Sequence, residues 1–146
     1  MRIMNTSLLA GAILVGCGGG MMIGPDAMRG AVGDAVDEDQ QHLTAGRTVA
    51  SLPAMLDEVD RHTSRMAAIM DDMRTHMASM QHCSGIESMM DLRHGMRMEL
   101  DAHVATMHAE TDLAEAGAEV EDHVGTMGTM LGDMGAMIEG THCSGW

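Results

Sequence analysis

The sequence has almost no aromatic side chains and few basic ones. Phe and Tyr are absent, and the single Trp is the last of the 146 residues. Without aromatic walls, a noncovalent haem pocket between His and Met side chains is disfavoured. Only 8 Lys and Arg residues stand against 22 Asp and Glu residues, which gives a formal net charge of −14. Because a phosphate backbone is bound through basic residues, this charge argues against a nucleic-acid partner and favours cationic partners such as metal ions.

Several patterns that would identify an enzyme or a β-sheet are also missing. The chain contains no Gly-rich phosphate loop, no nucleophile elbow, no c-type haem attachment motif and no evident Ser/His/Asp arrangement. No segment alternates convincingly between apolar and polar residues as a half-buried strand does. The sequence therefore predicts an all-α protein, and it favours a binding protein over an enzyme without deciding between them.

The first sixteen residues have the features of an export signal. Arg2 precedes an apolar stretch, residues 7–15, that is too short to span a bilayer. Leu14-Val15-Gly16-Cys17 then resembles the lipobox of bacterial lipoproteins, and the alternative is an ordinary secretory signal followed by a structural Cys17. The resemblance implies cleavage before Cys17, lipidation of Cys17 and a membrane anchor on the periplasmic side of the cell envelope. Gly18, which is not Asp, implies the outer membrane.

The mature chain has the length of one domain and contains four helical patterns. Residues 17–25 are predicted to form a lipidated, flexible, Gly-rich tether. Helices are predicted at about 26–47, from the cap residue Ser51 to Ser84-Gly85, at about 86–109 and at about 113–140. Apolar residues recur at helical spacing, which indicates one core-facing stripe on each helix. The prediction is an up-down-up-down four-helix bundle of two αα-hairpins.

The second half of the chain repeats the first at an offset of about 61 residues. The repeated motif is Glu-x-x-x-His, which occurs at Glu38/His42, Glu58/His62, Glu99/His103 and Glu119/His123. Each half ends on the same tetrapeptide, His82-Cys83-Ser84-Gly85 and His142-Cys143-Ser144-Gly145. The domain at 26–146 is therefore predicted to be a duplication, with repeat 1 at 26–85 and repeat 2 at 86–146.

Antiparallel pairing within each hairpin brings every glutamate of this motif level with a histidine of the neighbouring helix. The predicted pairs are Glu38 with His62, His42 with Glu58, Glu99 with His123, and His103 with Glu119. Two hairpins packed face to face then offer two layers of two Glu and two His, about 6 Å apart. Such shells bind divalent transition metals, and each carboxylate can be a ligand or can orient a histidine. The alternative is a solvated or structural ladder of Glu–His pairs.

Methionine is abundant, with twenty residues, of which only Met1 and Met4 precede Cys17. Met66, Met107 and Met127 each follow a repeated histidine by four residues, and thioether with imidazole suits copper. The simpler explanation is that methionine fills the core where Leu and Phe usually do. By composition the chain resembles Met/His-rich periplasmic copper-handling proteins, which implies copper as the bound ion.

The two His-Cys pairs are predicted to lie at the same end of the bundle. With Cys17 lipidated, Cys83 and Cys143 are the remaining cysteines, and an oxidising envelope favours a disulfide between them. The alternatives are a metal site with His82 and His142, or two free thiols. Diagonal helices could hold the two cysteines too far apart, because a disulfide needs Cα atoms within about 7 Å.

Together these patterns lead to one functional hypothesis and two rivals. The hypothesis is an envelope lipoprotein that binds, buffers or sequesters a transition metal through Glu, His and Met ligands. Copper is favoured as the ion, with zinc, iron or manganese as alternatives. The rivals are a carboxylate-bridged di-metal oxidase of iron or manganese and a structural lipoprotein without metal. Protein partners and oligomeric state have no signature in the sequence.

Overall fold

The structure, a computed structural model, describes residues 24–143. Four α-helices occupy most of this part: α1 at Pro25–Gly46, α2 at Leu52–Ser79, α3 at Ile86–Ala109 and α4 at Leu113–Glu139. Each helix packs against the helix before and after it, and α1 also packs against α4, so that the four form a closed square. The predicted all-α four-helix bundle is confirmed. The predicted signal peptide, Cys17 and the predicted tether up to residue 23 lie outside the described residues.

The helices begin at residues whose side chains or backbones suit a helix start. Pro25 opens α1, where its missing N–H costs no hydrogen bond, and it follows Gly24 at a φ of 96°. The Ser51 side chain accepts a hydrogen bond from the Ala54 N–H at the start of α2. The Asp112 carboxylate caps α4 by accepting from the N–H groups of Ala114 and Glu115. Among the described residues, no helix is long and apolar enough to cross a membrane.

Helix boundaries differ from the prediction mainly at the end of α2. The helix ends at Ser79 and does not reach Ser84, because the chain turns at Met80 and closes on the Cys83 N–H to Met80 O hydrogen bond of 2.8 Å. Gly85 then adopts a φ of 81°, a left-handed conformation that suits glycine, and α3 starts at the next residue. The first helix starts at Pro25, one residue before the predicted position.

The apolar core is divided into two clusters along the bundle axis. One cluster, the methionine core, lies toward the end where α2 and α4 finish and contains sixteen buried residues. The other, the aliphatic core, lies toward the loops at 47–51 and 110–112 and contains six. The repeated histidines are buried between the two clusters, at positions 42, 62, 103 and 123. The fold therefore places four imidazoles in the interior, between two apolar clusters.

Candidate metal centre

Each helix contributes one of the four buried histidines, and the four rings contact one another. His42 stacks on His62 with ring centroids 4.0 Å apart, and His103 stacks on His123 at the same distance. The two stacks meet edge to face, with centroids 5.5–6.3 Å apart. Each ring is at most 1% exposed. The predicted layers are thus close enough to form one cluster, which we call the histidine centre.

Every ring of the histidine centre has its Nδ1 atom directed at a glutamate of the adjacent helix. The separations are 3.4 Å for His42–Glu58 and His62–Glu38, and 3.2 Å for His103–Glu119 and His123–Glu99. These are the four pairs that antiparallel register predicts. At His42, His103 and His123 the contact is a hydrogen bond, and because a carboxylate only accepts, it favours the neutral tautomer that carries its proton on Nδ1. The Nε2 atoms are left with lone pairs, as in the carboxylate–histidine arrangements that support metal ions.

The Nε2 atoms are directed toward other ligand atoms and not toward hydrogen-bond donors. His42 Nε2 lies 3.4 Å from His103 Nε2, and both nitrogens carry lone pairs in the tautomer that the glutamates impose. His123 Nε2 is buried without a hydrogen-bond partner, as are both ring nitrogens of His62. Unpaired buried polar atoms are costly and uncommon in folded proteins, and these nitrogens have the lone pairs that can coordinate a cation.

Asp39 adds a carboxylate to the histidine centre, which the sequence analysis did not anticipate. Its side chain is buried, both of its oxygens lack a hydrogen-bond partner, and Oδ1 lies 3.8 Å from His62 Nε2. One ligand atom each from Asp39, His62 and His123 lie within 4.8 Å of one another. This buried Asp/His/His group can hold a metal ion, with His42 and His103 stacked directly against it.

A signal for Asp39 was present in the duplication. The equivalent position of the second repeat, 61 residues later, is Leu100, which is fully buried in the methionine core. A position that carries a core leucine in one repeat is expected to face the core in the other as well. Asp39 also precedes His42 by three residues, which puts both side chains on one face of α1.

Burial keeps the imidazoles neutral. Desolvation, followed by the neighbouring histidines, lowers the pKa of His42, His62 and His123 to about 3. Burial also lowers the pKa of His103, although the Glu119 carboxylate opposes this shift. Neutral imidazole is the form that binds metal, so the centre is ready to coordinate an ion at neutral pH without releasing protons from these rings.

Burial has the opposite effect on the acidic groups. It raises the pKa of Asp39 to about 7, with a further contribution from the Glu38 carboxylate. It also raises the pKa of Glu99, with contributions from Glu119 and Asp122. A nearby cation would favour the ionised form of these carboxyl groups, so ion binding at the centre and ionisation of Asp39 assist each other.

The three methionines predicted as soft ligands do not lie together. Met66 and Met127 belong to the methionine core, one helical turn from His62 and His123, whereas Met107 belongs to the aliphatic core. The reason is helix direction: α3 runs opposite to α2 and α4, so a step of four residues from its histidine leads toward the other end of the bundle. Met107 is therefore on the opposite side of the histidine centre from Met66 and Met127.

The predicted His-Cys residues lie far from this centre, beyond the ends of α2 and α4. Cys83 and Cys143 form a disulfide with Cα atoms 4.0 Å apart. Two hydrogen bonds of 3.0 Å also join the segments around the two cysteines. The Ser84 N–H donates to His142 O, and the His142 N–H donates to Ser84 Oγ. Because both sulfur atoms are in the disulfide, the thiolate metal site with His82 and His142 is not formed in this structure.

Comparison with known proteins adds no relative from which a role could be taken. No protein-family description matches the sequence, and no curated protein or solved structure is significantly similar to it. The geometry of the histidine centre is therefore the basis for assigning a function.

Proposed function

We propose that this protein is an envelope lipoprotein that buffers or sequesters a transition-metal ion, copper in preference to zinc, iron or manganese, at its histidine centre. The observation that carries the proposal is the 3.4 Å separation between His42 Nε2 and His103 Nε2, two buried lone-pair nitrogens. An ion bound tetrahedrally at about 2.0–2.1 Å from two imidazole nitrogens holds them about 3.3–3.4 Å apart. The pair is already spaced as two ligands of one ion.

The residues around this pair supply the remaining ligands and their supports. His62 and His123 would bind through their Nε2 atoms, and Asp39 would add a carboxylate oxygen or neutralise the ion's charge. Glu58, Glu99 and Glu119 would hold their rings in the required tautomer as acceptors from Nδ1, and Glu38 would lie beside His62 Nδ1 at 3.4 Å. Of the ligand roles that the sequence suggests, the geometry thus favours orientation over direct ligation for the four glutamates.

Two chemical arguments favour copper. A site of imidazole nitrogens binds divalent first-row metals with affinities that rise along the series to Cu(II). Met66 and Met127 lie one turn away on the same helices as His62 and His123, and thioethers are ligands that Cu(I) prefers. The chain therefore offers donors for both oxidation states of copper next to each other.

The enclosure of the centre favours a binding role over an oxidase. All four rings are buried, and the histidines with Asp39 can fill the coordination sphere of an ion. Catalytic metal sites keep a coordination position open, and closed sites are typical of stable binding. The Leu14–Cys17 lipobox resemblance supports a lipid anchor in the envelope, and the formal net charge of −14 would draw cations toward the protein.

Elemental analysis of the purified protein tests the metal proposal. We expect the wild type to retain copper after dialysis against a weak chelator, and its Cu(II) form to show nitrogen couplings in electron paramagnetic resonance. The His62→Ala/His123→Ala variant should lose the Cu(II) that gives these couplings. The matched control is His94→Ala/His108→Ala, which removes two exposed histidines of α3. Retention of two iron or manganese ions would identify the di-metal rival, and a metal-free wild type would refute the proposal.

The lipid anchor has a separate test. Cys17→Ala should abolish lipidation and move the protein from the detergent-extracted membrane fraction to the soluble fraction of the envelope. Stable anchoring requires more than one acyl chain, which lipidation at this cysteine would provide. A variant that partitions like the wild type would show that residues other than Cys17 hold the protein at the membrane.

A further inference from the structure

The two apolar cores on either side of the histidine centre differ in composition. Of the sixteen buried residues of the methionine core, ten are methionine. Of the six in the aliphatic core, two are methionine, Met55 and Met107, and the others are Val and Ala. The partly buried residues packed against the aliphatic core are all Leu or Val. The chain therefore builds an ordinary aliphatic interior at one end of the bundle, and methionine at the other end is not explained by a general shortage of aliphatic residues.

The methionine core contains a layer in which every helix contributes one methionine. The contact of Glu38 with His62 sets the register of the first hairpin. Because α1 and α2 are antiparallel, the residue ten positions before Glu38, Met28, lies level with the residue ten positions after His62. That residue is 72, next to Met73. The Glu99–His123 contact sets the second hairpin in the same way and places Met89 level with residue 133, next to Met134. All four methionines are 0% exposed and belong to the same contacting cluster.

This layer is duplicated in the same manner as the histidine centre. Met28 and Met89 are equivalent under the offset of 61 residues, as are Met73 and Met134. The histidine pairs 42/103 and 62/123 obey the same offset, so both layers place two equivalent pairs on four helices. Met73 follows His62 by eleven residues on α2, which separates the two layers by about 16 Å.

We propose that Met28, Met73, Met89 and Met134 form a second metal site, which binds a soft monovalent cation of the Cu(I) class through four thioether sulfurs. Thioether is a soft, uncharged ligand that selects Cu(I) over hard divalent ions. A monovalent ion also suits an interior without a carboxylate better than a divalent ion, because the cost of burying a charge rises steeply with that charge. The inference depends on the distribution of methionine and not on the histidine centre, so either site can fail alone.

A cavity open to solvent adjoins the methionine core. It has a volume of about 780 Å³ and lies between α2 and α3 at the disulfide end of the bundle. Its wall includes Met77 and Cys83, which belong to or pack against the methionine core, and the exposed Met90. Met77 is one helical turn beyond Met73, so an ion that reaches Met77 from this cavity is one turn from the four-methionine layer.

Titration with Ag(I), a redox-inert probe for Cu(I) sites, tests the proposal on the full-length lipidated protein with its disulfide intact. We expect Ag(I) to shift the ε-methyl resonances of Met28, Met73, Met89 and Met134 in isotope-labelled protein. Loss of a single supporting group commonly lowers metal affinity by about 10–100-fold, so Met28→Leu/Met89→Leu should weaken Ag(I) binding by more than about 100-fold. Leucine approximately conserves the volume of methionine, and circular dichroism should show retained helices.

The aliphatic core provides the matched control. Met55→Leu/Met107→Leu replaces two equally buried methionines on the other side of the histidine centre, and it should bind Ag(I) like the wild type. Equal affinities for the two double variants would overturn the proposal, whether both bind Ag(I) or both fail to bind it. Loss of Ag(I) binding in His62→Ala/His123→Ala, with no effect of Met28→Leu/Met89→Leu, would assign the ion to the histidine centre and would also overturn it.

Discussion

Each repeat supplies two histidines and two glutamates to the histidine centre, at equivalent positions. The charged residues around these groups differ between the two repeats. In the first repeat Glu38 and Glu58 are 7% and 5% exposed, and they form ion pairs with Arg65 and Arg61. In the second repeat Glu99 and Glu119 are 27% and 24% exposed. The positions equivalent to the two arginines are Thr126 and Asp122, so the second repeat lacks this cationic cover.

The buried carboxylate is a second difference. Asp39 faces His62 in the first repeat, and the equivalent Leu100 packs in the methionine core in the second. The two repeats thus share the imidazoles and the glutamates that contact them, while the charge near these groups differs. A structural ladder of Glu–His pairs does not require an unpaired carboxylate in the interior. An ion-binding centre uses that charge, and the cost in stability is typical of a functional site.

The largest effect should come from Asp39→Asn, which removes the charge that only the first repeat carries and keeps the side-chain volume. The quantity that changes is the free energy of unfolding of the metal-free protein. The pKa of Asp39 is raised from 3.8 to about 7 in the folded protein. A neutral Asp39 therefore stabilises the metal-free fold below about pH 4, and this contribution is lost as the pH rises through 7. The variant should match the wild type near pH 4 and exceed it in free energy of unfolding above pH 7, by an amount on the order of a few kcal/mol.

Urea unfolding of the metal-free protein, followed by circular dichroism between pH 4 and pH 8 in the presence of a chelator, measures this difference. Asp37→Asn, which alters an exposed carboxylate two residues away on α1, is the matched control and should show little dependence of the difference on pH. With copper present the order should reverse, because the wild type gains more from the ion. If the difference in free energy of unfolding between wild type and Asp39→Asn is constant with pH, burial does not raise the pKa of Asp39.

The histidines themselves have a pH dependence of the opposite sign. Because their folded pKa values lie below the value of 6.5 for an exposed histidine, the unfolded chain binds more protons between about pH 3 and 6.5. The metal-free protein should therefore lose stability as the pH falls below about 6.5. This loss is shared by wild type and Asp39→Asn, which is why the comparison of the two isolates the carboxylate.

The sequence predicted the parts of this site that follow from helical spacing and antiparallel register. Steps of three and four residues identified the helices, and the Glu-x-x-x-His spacing predicted the Glu–His contacts that the structure contains. These features are local or depend on a single hairpin turn, so few alternatives exist. The buried position of Glu38 and the exposure of Glu99 could not be predicted in this way, because the two share one motif and differ only in their neighbours.

Contacts between the hairpins were harder to predict. Met107 was grouped with Met66 and Met127 because all three follow a histidine by four residues, and the opposite direction of α3 separates them. The distance between Cys83 and Cys143 depends on how closely the diagonal helices α2 and α4 approach, which sequence spacing does not fix. Their Cα atoms lie 4.0 Å apart because the segments that follow α2 and α4 turn toward each other over the end of the bundle.

The smallest effect should be on metal affinity and should come from Arg65→Thr. Thr126 is the residue equivalent to Arg65 in the second repeat, so this variant makes the surroundings of Glu38 resemble those of Glu99. Removal of a positive charge near a cation site should raise metal affinity. Two unit charges roughly 10 Å apart interact by about 0.4–1.7 kcal/mol at effective dielectric constants of 20–80, which corresponds to a change in metal affinity of about 2- to 18-fold. The Arg65 side chain is 52% exposed, so a value at the low end is expected.

Competition titrations with a Cu(II) chelator at low and high salt measure this change, because Cu(II) reports on the histidine centre and not on the four-methionine layer. Arg74→Thr is the matched control, because it makes the same substitution on α2, nine residues or about 13.5 Å further from the histidine centre. At 0.15 M salt the screening length is about 8 Å. The increase in metal affinity for Arg65→Thr should therefore be smaller than at low salt, and Arg74→Thr should show almost no increase. An equal gain for both variants would mean that net charge alone sets the affinity. In that case the arginines of the first repeat would have no specific influence on the ion, and the asymmetry at the centre would reduce to Asp39.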